Sequence, residues 1–200
     1  SFTSEKLKYL FIKVVVNIIP VTIFNYMIII FIGENYQKDI IHTATTYITV
    51  AAGAFSMSLL IKYTKFGQRI FNSNMLATVI LASSFMALSR LIFANGNSDT
   101  FSIGLIALIL GSCANVLNYN ALAVIRRNIC TTPEELTKLI STETIVSMAF
   151  LFTLVPALYL TKSLAIQISN FQIIVASLIP LLGLPTLFLQ ERKKESTSLA

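Results

Sequence analysis

Phe101–Ile125 reads FSIGLIALILGSCANVLNYNALAVI and stops at Arg126–Arg127. None of these 25 residues is charged. A helix rises about 1.5 Å per residue, so the run is long enough to cross about 30 Å of hydrocarbon. Lipid offers no partner to backbone N–H and C=O groups, which makes such a run a helix. Its first half is almost purely apolar, while its second half holds Ser112, Asn115, Asn118 and Tyr119. At about 100° per residue these four share roughly 120° of arc. Amides facing lipid are costly, so this side must meet protein or water.

Working outward, five further apolar runs predict spans over Val14–Ile32, Ile40–Ile61, Met75–Phe93, Ile140–Leu160 and Phe171–Leu189. The 200-residue chain is 55% hydrophobic and 12% charged, with a mean hydropathy of +0.76. A soluble domain carries about 25% charge. A water-soluble fold of this length has too little interior for so much apolar surface, so the remainder faces lipid. The expected fold is all-α, a polytopic membrane helix bundle forming one six-helix domain over residues 1–200.

The charged residues predict orientation. With the N-terminus inside, segments 1–13, 62–74, 126–139 and 190–200 are inner and hold twelve of the fifteen Lys and Arg. The outer segments 33–39, 94–100 and 161–170 hold only Lys38 and Lys162. That asymmetry predicts a multi-pass protein of the cell (inner) membrane with both termini cytoplasmic. The net charge of +6 lies in short clusters between apolar runs rather than on one stripe, which argues against nucleic acid as a partner. Cys113 falls in a span and Cys130 in an inner loop, so no disulfide joins them. A single histidine and no C-x-x-C spacing leave no metal site or cofactor to propose. No G-x-S-x-G, Walker A or paired Asn-Pro-Ala is present, and no nucleophile–base pair can be named. No catalytic residue is expected, and the chain does not read as an enzyme.

Between the second and third runs stands Leu60-Ile-Lys-Tyr-Thr64-Lys65-Phe-Gly67-Gln68-Arg69. This resembles the major facilitator superfamily signature G-x-x-x-D-[RK]-x-G-R-[RK], with Lys65, Gly67 and Arg69 matching. Leu60, Thr64 and Gln68 depart from it. Gly67 suits a tight turn, and the two cations suit an anionic inner surface. Thr132-Pro133-Glu134-Glu135-Leu136 before the fifth run, and Leu189-Gln-Glu191-Arg192-Lys193-Lys194 after the sixth, are similar to that family's helix boundaries.

The resemblance implies one six-helix half of a secondary active transporter, built as two inverted three-helix repeats. It implies alternating access around a small solute held near the midplane. The partners it implies are the lipid bilayer, that solute and the other six-helix half of the same protein. The worn signature and the start without Met point to the C-terminal half.

In that family the first and fourth helices of a half line the cavity. The residues so assigned here are Thr22, Asn25 and Tyr26 on the first run and Ser112, Asn115, Asn118 and Tyr119 on the fourth. They would form a polar wall facing the other half. Pro20 is expected to kink the first run. Asp39, His42, Arg90 and Glu143 are candidate coupling or gating charges, because ionisable groups inside or beside spans default to function. Arg90 is expected to reach the outer surface or to pair with Asp39 or the other half. Glu143 is expected to pair with Arg126, Arg127 or Lys138. The rival reading is a non-catalytic membrane subunit whose polar faces only join helices, at about 0.6 kcal/mol per contact.

Overall fold

Lys6, Tyr9, Leu10 and Lys13 recur every three or four residues, which on a helix is one face. In the computed structural model that face is buried, in a helix α1 (Ser4–Lys13) that continues without a break. A π-helical turn (Val14–Ile18) follows, then α2 (Ile19–Glu34). The first helix therefore begins ten residues before Val14, where sequence alone suggested a basic inner loop. The cause is charge pairing: Lys6 and Lys13 lie against acids on another helix rather than at a surface. The π turn lies just before Pro20, whose ring clashes with the preceding turn and which lacks an N–H. In it the Ile19 N–H bonds to the Val14 carbonyl, five residues back.

The structure describes residues 3–34, 36, 37, 39–65, 69 and 75–163. The expected span 171–189, the charged run Leu189–Lys194, and Gly67 and Gln68 of the loop signature lie outside them. Among the described residues there is no strand. The remaining helices are α3 (Ile40–Tyr63), α4 (Met75–Ala94), α5 (Phe101–Asn128, preceded by a 3-10 turn at Ser98–Thr100) and α6 (Pro133–Ser163).

Helix α6 begins seven residues before the expected Ile140, because Thr132 caps it: its Oγ1 accepts the Glu135 N–H at 3.2 Å. Glu135 in turn accepts from the Thr131 backbone N–H and hydroxyl at 3.0 and 2.9 Å. The helix also extends into the segment 161–170 that sequence assigned to an outer loop. Asp39 caps α3 in the same way, its Oδ1 accepting the N–H groups of Ile41 and His42, both at 3.1 Å.

Among the described residues four helices are long and apolar enough to cross a membrane: Ile40–Tyr63, Ala77–Ala94, Ser98–Asn128 and Pro133–Thr153. Their outward faces carry Ile48, Phe55, Ile103 and Phe152, each well over half exposed. Water would penalise such a surface and lipid does not. The chain is a membrane protein.

Helices α4 and α5 form a closely packed hairpin, with α3 on the other side of α5. The approach of α3 to α5 needs Gly53, where a Cβ would stand 2.9 Å from the Ile109 carbonyl oxygen. Two apolar clusters hold the ends of the bundle. One joins Phe24, Ile28, Ile32, Tyr36, Phe93 and Phe101. The other, at the basic end, joins Tyr9, Leu10, Val16, Val79, Leu122 and Leu139. Between them lies only a thin layer of Ala82, Met86 and Ala114. At mid-height Ser89, Gly111 and Ser112 are small enough to leave room, and polar residues line it.

Candidate functional site

The space at mid-height is a cavity of about 70 Å³ between four helices. Val21, Phe24 and Asn25 come from α2 and Val50 from α3; Met86, Ser89 and Arg90 come from α4, and Leu108, Gly111, Ser112 and Asn115 from α5. Gly111 lets α4 come close, since a Cβ there would collide with the Ser89 hydroxyl.

The cavity's polar groups are unequally engaged. Ser89 donates to the Ala107 carbonyl at 2.7 Å, and Ser112 donates to the Val50 carbonyl at 2.5 Å. Asn17, in the π turn, donates to Oδ1 of Asn115 at 3.2 Å. The hydroxyl protons are thus taken and the Asn115 oxygen accepts one bond, while the Asn115 NH2 has no bond to the described residues. Arg90 is 6% exposed. Its guanidinium stacks over the Phe24 ring with Cζ 4.9 Å from the centroid. Its Nη1 is buried without a hydrogen-bond partner, and no acid among the described residues pairs with it.

Of the residues that sequence singled out, the cavity gathers Asn25, Ser112, Asn115 and Arg90. Thr22 is half-buried in α2 outside the lining, and Tyr26 lies in α2 with its side chain outside the described residues. Asn118 is fully buried below the cavity, its amide 3.8 Å from Met86 Sδ and its Oδ1 unpartnered. Tyr119 is exposed, with Lys13 Nζ 5.5 Å from its ring centroid. Within the described residues Ser112 of α5 bonds to α3, Asn115 to the π turn, and Asn118 lies against Met86 of α4, while Tyr119 is exposed. The inward direction of α5 follows the buried stripe Gly104, Leu108, Ser112, Asn118 and Leu122.

Arg90 neither reaches the surface nor pairs with Asp39. Asp39 is held instead by His42, whose Nδ1 is 2.6 Å from Oδ1. The His42 side chain first, and its backbone N–H second, keep the Asp39 carboxyl below the ordinary carboxylate range. Lys65 and Arg69 are exposed, as loop cations beside a membrane should be.

Glu143 is 4% exposed at the basic end of the bundle. Its Oε2 accepts from Arg126 at 2.9 Å, one of the three expected partners, and also from Lys13, which sequence did not offer. Lys6 pairs with Glu135 at 2.9 Å one layer further out. The steps from Lys6 to Lys13 and from Glu135 to Glu143 have the same sign, so α1 and α6 run parallel. Phe24, Val50, Met86 and Ser89 also went unnoticed as lining, since nothing in an apolar run marks which side it turns to a cavity.

Compared with known proteins, the chain matches no family model, no curated protein and no solved structure.

Proposed function

We propose that the chain is one six-helix half of a secondary active transporter that moves a small solute by alternating access. In this reading the helix of residues 4–34 is the first span and 171–189 the last, in two inverted three-helix repeats. Both termini are cytoplasmic, and a second half closes the site. One observation carries the reading: a cavity near the middle of α3 and α5, walled by four helices, that places Asn25, Asn115 and Arg90 together. Polar groups at that depth are costly unless they meet a ligand or one another. The π turn beside Pro20, bonded to the cavity through Asn17, is the kind of local irregularity that clusters at functional sites.

The bonds between the π turn and α5 and between α4 and α5 favour the second reading, a membrane subunit whose polar groups only join helices. Gradient-driven uptake by the full-length protein in proteoliposomes, screened across labelled small solutes, separates the two. For a transporter, Asn25→Ala and Asn115→Ala raise KM for the accumulated solute. A joining subunit accumulates none of them, and both variants only lower its stability.

A further inference from the structure

We propose that Arg90 makes this cavity a binding site for a small organic carboxylate; the inference rests on the cavity being the solute site of the proposed transporter. The cavity's donors without an acceptor among the described residues are on Arg90 and Asn115, whereas Ser89 and Ser112 keep only oxygen lone pairs to offer. Arg90 is positively charged, buried and without an acid among the described residues, and its Nη1 lacks an acceptor. The Asn115 oxygen accepts from Asn17, which leaves the Asn115 NH2 to donate. Ser89 and Ser112 direct their protons at backbone carbonyls. The Arg90 charge repels a cation, and its N–H groups together with the Asn115 NH2 are matched by an oxyanion. A buried unpaired cation is strongly unfavourable, and binding an anion would remove that penalty.

The shape of the site narrows the class. Phe24 stacks on the face of the guanidinium and leaves its edge of N–H groups to meet an oxyanion in a two-bond fork. The walls beside it are Val21, Val50, Met86 and Leu108, which suit a short aliphatic body. A volume of about 70 Å³, at roughly 10–15 Å³ per water, has room for a ligand of about five to seven non-hydrogen atoms. A free phosphate shares the oxyanion chemistry but leaves the apolar walls unmatched. A lipid phosphate would have to enter from the side.

The test uses the full-length protein in phosphatidylcholine nanodiscs, with butyrate as the probe and butyramide and inorganic phosphate as comparisons. Calorimetry gives the Kd and thermal unfolding the midpoint. Butyrate binds and raises the midpoint, while butyramide, equal in shape and uncharged, does neither. Arg90→Met weakens butyrate binding about a hundredfold, as expected for removing one partner of a buried charge pair. This variant removes an unpaired charge and so should fold at least as well as the parent. Arg90→Lys keeps the charge, loses the fork and falls between.

Equal binding of butyrate and butyramide, or unchanged butyrate affinity in Arg90→Met, would overturn the proposal. Tighter binding of phosphate than of butyrate overturns the carboxylate class. So does stabilisation by phosphatidylglycerol through Arg90 with no response to butyrate, which would assign the site to a lipid phosphate. Transport of a neutral solute with the same KM in Arg90→Met removes the anion and leaves the transporter. Charge-selective butyrate binding without gradient-driven uptake of any solute supports the site and removes the transporter.

Discussion

Glu143 and Arg90 are both charges buried in a membrane protein, 4% and 6% exposed, yet their surroundings differ completely. Glu143 draws Lys13 from α1 and Arg126 from α5 onto one carboxylate oxygen, at the end of the bundle where most of the cations lie. Arg90 lies over an aromatic ring, lines a cavity with two amides and two hydroxyls, and meets no acid among the described residues. The first arrangement is closed: the protein supplies the counter-charge, and the result is a three-helix clamp. The second is open: among the described residues no acid supplies the electrostatic complement of Arg90. Burial alone does not distinguish a structural charge from a binding charge; the inventory of partners does.

Three measurements would break or sharpen that contrast. Glu143→Gln leaves Lys13 and Arg126 facing each other without an anion, and we expect it to lose about 3–5 kcal/mol in reversible unfolding in mixed micelles. A loss under about 1 kcal/mol would mean that water already screens the clamp. Arg90→Met, in the same assay, should move in the opposite direction and gain about 1–3 kcal/mol, because a similar apolar volume replaces an uncompensated cation. If this variant instead falls as far as Glu143→Gln, Arg90 has a counter-charge within the protein and the contrast fails. Asn17→Ala removes one bond between the π turn and α5 and should cost only about 0.6 kcal/mol. A much larger loss would make the cavity rim a structural clamp of the same kind as Glu143.

Much of the helical layout was legible in the sequence, and its errors have a common cause. The boundaries of α3 and α4 follow their apolar runs, since span length is a property of consecutive residues. Helices α1 and α6 start earlier than their apolar runs do. Lys6 and Lys13 resemble loop cations in sequence, and only the approach of Glu135 and Glu143 turns that stretch into a buried helical face. The same limit applies at the site. Ser112 and Asn115 were legible because amides and hydroxyls are conspicuous in an apolar helix. Tyr119 sits within the same arc but is exposed, and Asn118 is buried against Met86 below the cavity. A helical-wheel position gives the direction of a side chain, not the neighbour it meets.

By itself, the sequence determined that this chain is a helical membrane protein. Backbone groups in lipid must bond within their own segment, and that requirement reads directly from runs of adjacent residues. It also determined that α5 has one polar side. Tertiary structure alone decided that Ser112 and Asn118 on this side turn inward, that Glu143 meets counter-charges and that Arg90 meets no acid among the described residues. Those outcomes depend on which distant side chains share a few ångströms of space, as Lys13 and Glu143 do across 130 positions of sequence.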